Sequence, residues 1–169
     1  MELPKRKSQR LRGYDYSQNN AYFIAICTQN RCNLFGRIAD AGIAVNSAGE
    51  MVAERLLNIS TIFGVAIDKY VIMPNHIHMI ILISDIGTTQ ESFPTTTVSE
   101  LVQRFKTITT KLYIDGVKEG VYMPFDKKIW QKSFHDHIIR NEDGYRHIWQ
   151  YIDENPVKWS EDKYFISCT

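Results

Sequence analysis

The chain has 169 residues, of which 44% are hydrophobic, 12% aromatic and 23% charged, enough apolar material for the core of one ordinary domain and too short a chain to favour a second. That balance excludes an intrinsically disordered protein, and with no apolar run of membrane-spanning length a transmembrane helix is excluded too. The net charge of +1 is spread unevenly along the chain.

Lys5, Arg6, Lys7, Arg10 and Arg12 place five of the 20 basic residues in a short amino-terminal arm, and from residue 13 onward 15 basic residues face 18 acidic ones. Such an arm is either a solvated terminus or a strip that lies along a phosphate backbone. We read residues 1–169 as a single domain carrying this arm at 1–12. No apolar run follows the arm, as a secretory signal would require, and three scattered cysteines (Cys27, Cys32 and Cys168) make no disulfide framework. A cytoplasmic protein with reduced thiols and no membrane partner is expected.

Ala21 to Thr28 reads as a buried strand by its β-branched and aromatic content. Residues 29–42 form a connection that can hold a short hairpin ending near Ile43 to Val45. Asn46 can then cap a helix in which Ala48, Val52, Leu56 and Ile59 recur at spacings of three and four, and Gly64 stops it. Ala66–Met73 and His76–Ile83 are two apolar runs separated only by Pro74-Asn75, a hairpin signature. Residues 84–97, rich in Ser, Thr, Gly and Asp, suit a surface loop.

Thr97-Val98-Ser99-Glu100 has the spacing of a capping box, with Leu101, Val102, Phe105, Ile108 and Leu112 as the apolar stripe of the helix behind it. The other side carries Gln103, Arg104, Lys106, Thr107 and Lys111. Asp115 to Lys128 reads as a connection, one further strand falls within 129–139 with Trp130 in the core, and a last helix runs from about Glu142 to Asn155 before Pro156. Strands interleaved with helices and joined partly by tight hairpins predict an α+β fold, an antiparallel sheet with helices chiefly on one face.

His76-Ile77-His78 is the tripeptide richest in chemistry. In a strand, residues i and i+2 share a face about 6.5 to 7 Å apart along the backbone, so two imidazoles can converge on one divalent ion. Two half-exposed histidines beside a hairpin turn would have the same sequence. On the last helix, at 100° per residue, Tyr145, Ile148, Trp149 and Ile152 share a stripe that should face the core, while His147, Tyr151 and Asn155, spaced by four, line its flank.

Met73-Pro74-Asn75-His76-Ile77-His78, then Phe134-His135-Asp136-His137-Ile138-Ile139-Arg140, then Tyr151-Ile152-Asp153-Glu154-Asn155-Pro156 resemble the HUH single-tyrosine transposases. More narrowly, they resemble the REP-associated tyrosine transposases, relatives of small insertion-sequence transposases. The resemblance runs from about Arg10 to Trp159 and takes in Arg12-Gly13-Tyr14-Asp15-Tyr16 and Thr28-Gln29-Asn30. It implies a ferredoxin-like central sheet, His76 and His78 as metal ligands with Asn155 as a third, and Tyr151 as the nucleophile.

The resemblance further implies cleavage and rejoining of single-stranded DNA at the foot of imperfect palindromic hairpins, through a 5′-phosphotyrosine intermediate. A divalent cation polarises a phosphodiester and offsets charge developing in its transition state. The hard oxygen donor favours magnesium or manganese, although a histidine pair also accepts zinc, nickel or cobalt. A phenol ionises near pH 10, so Tyr151 needs help to lose its proton, and His147 one turn earlier is a candidate assistant. Lys5, Arg6, Lys7, Arg10 and Arg12, with Arg104, Lys106 and Lys111, are the candidate phosphate contacts, and Tyr14, Tyr16 and the Trp130-Gln131 segment could stack bases, although the core suits the tryptophan better. A monomer is expected, as for the REP-associated branch. Two other readings stay open: a domesticated module that binds palindromic DNA or structured RNA without cutting, and a metal phosphodiesterase that uses water and leaves Tyr151 structural.

Overall fold

The computed structural model describes residues 19–39, 42–83 and 97–165. The basic arm (Lys5, Arg6, Lys7, Arg10, Arg12), the Tyr14 and Tyr16 lead, the loop up to residue 96 and Cys168 lie outside the described residues. The elements are β1 (Asn20–Cys27), β2 (Gly36–Ala39), β3 (Gly42–Val45), α1 (Ser47–Phe63), β4 (Ala66–Ile72), β5 (His76–Ile83), α2 (Val98–Lys118), β6 (His135–Ile139) and α3 (Glu142–Glu154). Four strands form one sheet in the order β4-β5-β1-β6, every neighbouring pair antiparallel, and β2 and β3 pair as a separate hairpin. With β2 and β3 set aside, β1-α1-β4-β5-α2-β6 in this order is the ferredoxin-like α+β arrangement.

Alternation along the strands divides the core in two. Tyr22, Ile24 and Ile26 of β1 join Ile77, Met79 and Ile81 of β5 on one face, covered by Val52, Leu56 and Ile59 of α1 and by Leu101, Val102 and Phe105 of α2. Each such fully buried side chain contributes about 1.5–3 kcal/mol of transfer free energy. Phe23, Ala25, Cys27 and Ile80 point to the opposite face, closed by Ile152 of α3 and by Tyr164 beyond it. Two helices on one face and one on the other leave β5 buried on both sides, and His76 and His78 fall on the side beneath α3.

Local chemistry sets the helix limits. The Asn46 side chain accepts the Gly49 amide at 2.9 Å to start α1, and Gly64 ends it at φ 63°, the left-handed conformation glycine adopts without strain. The capping box at Thr97 and Glu100 is formed. Helix α2 continues to Lys118, past the expected end, because Tyr113 and Gly116 extend its buried stripe. A Cβ at Gly116 would lie 2.3 Å from Cδ2 of the Tyr122 ring. Gly116→Ala should therefore cost about 1–3 kcal/mol through overpacking, despite alanine's better helix propensity. A melting temperature equal to or above that of the parent would contradict this packing.

The expected strand in 129–139 is shorter than its apolar run. Only His135–Ile139 pairs fully, and Trp130 makes one bridge to Thr28 while its indole donates to Thr109 Oγ1 at 3.0 Å in the core. Cys27 is buried, which pushes its thiol up to about 11, whereas Cys32 is exposed. Iodoacetamide at mildly alkaline pH should label Cys32 in the native protein and Cys27 only after unfolding, read by peptide mass; equal native labelling would contradict the buried assignment. Among the described residues no helix is long and apolar enough to cross a membrane.

Candidate active site

The turn before β5 holds the histidines rigidly. Met73 donates to the His76 carbonyl at 2.9 Å, and the Pro74 and Asn75 carbonyls accept from Phe35 at 3.0 Å and Thr28 at 2.9 Å. Buried Asn75 donates its amide to the carbonyls of Arg31 and Tyr164, so its Oδ1 is left to accept from His76 Nδ1 at 2.8 Å. That partner fixes the His76 proton on Nδ1 and leaves Nε2 as a lone pair, the way a neighbouring group orients a metal-binding imidazole. His76 Nε2 lies 2.9 Å from His78 Nε2.

Helix α3 carries the third element. The Asn141 side chain accepts the Gly144 amide at 2.8 Å, and Glu142 and Asp143 complement the positive helix start. The helix is fixed on β4 by Tyr145 donating to Asp68 and by an ion pair between Lys69 and Asp153. Trp149, expected on the core stripe, is exposed; the Lys69 ammonium lies 3.8 Å from its ring centre, so it packs on a cation at the surface. Ile152 alone on α3 is fully buried, which leaves Tyr151 on the rim at 37% exposure with its ring against Phe23 and His78.

The Tyr151 hydroxyl lies 3.2 Å from His78 Nε2 and donates to Asp162 Oδ2 at 2.8 Å. Asn155 donates its amide to the same Asp162 oxygen at 2.6 Å, and Asp162 Oδ1 accepts the Tyr164 amide at 2.6 Å. Trp159 stacks on His76 and the tilted Tyr164 ring packs against both imidazoles, so both histidines are fully buried rather than half-exposed.

Burial lowers the pKa of both histidines, with His78 adding to the effect on His76 and Asp162 partly opposing it on His78. Burial and the Asp162 hydrogen bond raise the Tyr151 phenol well above its ordinary range. For Asp162, burial works upward, but the nearby His78 imidazole and hydrogen bonds from Asn155, the Tyr164 amide and Tyr151 outweigh it and hold the carboxyl below the usual carboxylate range. The resting site is thus two neutral imidazoles, a carboxylate and a phenol.

This donor set fits a divalent cation. The ligand atoms of His76, His78 and Asp162 lie within 4.8 Å of one another. Two imidazole nitrogens 2.9 Å apart suit neighbouring positions on an ion held at about 2.1 Å. His78 Nδ1 and Asn155 Oδ1 are buried without a hydrogen-bond partner. The orphaned amide oxygen is a free donor atom beside the carboxylate.

Of the expected site residues, His76, His78, Tyr151 and Asn155 converge. His147 lines the same open cleft of about 370 Å³ as Tyr151, with its Nδ1 turned back to the Asp143 carbonyl at 2.9 Å; the group in contact with the phenol oxygen besides His78 is Asp162. Asp162 carries no sequence signal: it sits seven residues past Asn155, just after a 3₁₀ turn, Trp159–Glu161, that no periodicity announces. Arg104, Lys106 and Lys111 lie on α2, behind the sheet from Tyr151. Lys106 donates to the carbonyls of Gln131 and Ser133, and Arg104 lies over the Phe63 ring.

The geometry can be set beside known proteins. The sequence profile described as "Transposase IS200 like" matches residues 16–155. An uncharacterised protein of Haemophilus influenzae is 34% identical over 168 residues, spanning 95% of this chain and 93% of its own. A REP-associated tyrosine transposase solved bound to a REP hairpin superposes with a TM-score of 0.54 at 22% identity, over 96% of this chain and 77% of that one. A crystallised protein of Deinococcus radiodurans assigned as a transposase gives 0.53 at 17% identity, over 86% of this chain and 95% of that one. The profile match covers most of the chain, including His76, His78, Tyr151 and Asn155, and on that ground the chain belongs to the IS200-like transposase family.

Proposed function

We propose that this chain is a metal-dependent transposase of the REP-associated kind, which cleaves and rejoins single-stranded DNA at palindromic hairpins through Tyr151. The observation that carries the reading is the Tyr151 hydroxyl, on the rim of an open cleft and 3.2 Å from a buried histidine pair suited to a divalent ion. The similar structure bound to a REP hairpin supports hairpin DNA as the substrate.

His76 and His78, with the oxygens of Asn155 and Asp162, would hold magnesium or manganese. Such an ion, when bound, polarises the scissile phosphate and offsets its developing charge. The phenol oxygen of Tyr151 attacks phosphorus, the bond to the 3′ oxygen breaks, and that oxygen leaves as a 3′-hydroxyl. The phenol proton, which Asp162 Oδ2 already accepts in a hydrogen bond, passes on to the departing 3′ oxygen, so the step balances and the carboxylate ends ionised as it began. Tyr151 is left joined to the 5′-phosphate, and the 3′-hydroxyl of another strand reverses the step, so the bond's energy is conserved without a nucleotide cofactor. Phosphate contacts from Lys5, Arg6, Lys7, Arg10 and Arg12, with Arg104 and Lys111, would position the DNA in the cytoplasm without reading its sequence.

The tyrosine reaches the histidines of its own chain, which supports a monomer of one domain. Mixing Tyr151→Phe with His76→Ala protein should therefore restore no activity, whereas dimers that exchange the tyrosine helix would regain part of it. The general test incubates the protein with a labelled hairpin oligonucleotide flanking its gene, with manganese or magnesium, and resolves products on a denaturing gel. A metal-dependent protein–DNA band supports the reading. Cleavage without such a band, persisting in Tyr151→Phe, identifies a water-using phosphodiesterase, and tight binding without cleavage identifies a binding module.

A further inference from the structure

A second concave surface lies behind the sheet, between α2 and the segment that leads into β6, away from the cleft of Tyr151. It has a volume of about 620 Å³, and its lining holds Lys106, Lys127, Lys128 and Lys132 and no acidic residue. Lys127, Lys128 and Lys132 are exposed, and the lysine ion pairs among the described residues involve Lys69, Lys118 and Lys158 instead. Four like charges around one hollow repel each other and favour an extended anion as occupant.

The wall of this groove is built, not incidental. Lys106 Nζ donates to the Gln131 carbonyl at 2.8 Å and the Ser133 carbonyl at 3.0 Å, pinning the segment to α2, and Trp130 anchors it in the core. Lys127 sits at φ 57° within a tight turn closed by Lys128 N–H to the Asp126 carbonyl at 2.5 Å. A lysine held in the left-handed region, where glycine or asparagine would be unstrained, persists because the surroundings impose it.

The groove ends beside β6, the edge strand of the sheet in which β5 lies two strands away. Its last lining residue, Phe134, precedes His135 at the start of the edge strand β6. His135 pairs with Ala25, and Ala25 with His78, so the three lie in line across the sheet, about 10 Å from first to last at two strand spacings. Phe23 touches both imidazoles, with ring centres 5.3 Å from His78 and 6.4 Å from His135.

We propose that this groove is a second DNA-contacting site: it holds the sugar-phosphate backbone of the substrate strand, through Lys127, Lys128 and Lys132, as that strand passes from the Tyr151 cleft around the β6 edge. The proposal rests on the reading of the chain as a DNA-processing enzyme. Lysine contacts to phosphate supply affinity that depends on salt and not on sequence.

The test uses the full chain carrying Lys127→Ala, Lys128→Ala and Lys132→Ala together, with Lys106 kept because it holds the wall. Binding of a labelled hairpin oligonucleotide is followed by fluorescence anisotropy across a sodium chloride series. The expected result is at least about tenfold weaker binding at moderate salt and a slope of log K against log salt shallower by about 2 to 3, alike for matched and scrambled oligonucleotides. Arginine at the three positions should restore the slope. An unchanged slope in the alanine variant, with or without a loss of affinity, overturns the groove while leaving the Tyr151 reading intact. If the parent protein binds no hairpin DNA, the underlying reading falls and the groove with it. A manganese-induced rise in melting temperature equal to the parent's shows that the variant is folded.

Discussion

Tyr151→Phe should abolish the covalent protein–DNA adduct and lower strand cleavage by at least about 1,000-fold. The change removes one oxygen atom and keeps the ring, which rests against Phe23 and His78. Little packing is lost, because Tyr151 stands on the rim of the cleft and Ile152 is the residue of α3 that anchors the core. Asp162 loses one of its hydrogen-bond donors and keeps Asn155 and the Tyr164 amide. Hairpin affinity and manganese affinity should therefore stay within a few-fold of the parent's. A variant that cleaves at the parent's rate would remove Tyr151 from the reaction, and one that no longer binds manganese would show that the hydroxyl serves the metal site instead.

His76→Ala should weaken manganese binding by at least about 100-fold and eliminate cleavage, as should removal of metal by a chelator. In the parent, manganese at about 100 times its dissociation constant should stabilise the fold by about 2.7 kcal/mol, a rise of about 5–10 °C in melting temperature. The variant should show no such rise. Loss of the ring also leaves Asn75 Oδ1 without its partner and opens a gap beneath Trp159, so the metal-free variant should melt below the parent. His76→Gln keeps a polar group there and separates the loss of the ligand from the loss of packing. A calorimetric titration in which His76→Ala binds manganese as tightly as the parent would exclude His76 from the site. Asp162→Asn keeps the size of the side chain but removes its charge, and a smaller loss, on the order of tenfold, is expected.

The sequence carried the fold where local chemistry and tertiary packing agree. Asn46 and Gly64 bound α1, Thr97 and Glu100 open α2, and the Pro74-Asn75 turn sets His76 and His78 at the start of a strand, each readable without coordinates. The end of α2 was less legible, because a stripe continued by Tyr113 and Gly116 reads as apolar only once Tyr122 is seen to close on it. Trp149 misled because hydrophobicity alone assigns it to the core, and only the pairing of α3 with β4 shows Lys69 beneath its ring.

At the site, spacing along β5 and α3 predicted which side chains share a face. That they meet depends on α3 lying on the sheet face opposite α1 and α2, a tertiary fact that no single segment encodes. Asp162 escaped for the same reason. A lone aspartate in an irregular stretch has no period, and its role comes from Asn155, Tyr151 and His78 arriving from other elements.

Attachment of DNA to Tyr151 itself is tested most directly by mass spectrometry of the trapped adduct. Protein incubated with hairpin oligonucleotide and manganese is denatured, digested with protease and nuclease, and its peptides are searched for an attached 5′-phosphonucleotide. The expected result is one modified peptide, carrying the nucleotide on Tyr151 and absent without metal. Cleaved DNA with no modified peptide, or a nucleotide attached to any other residue, would contradict it.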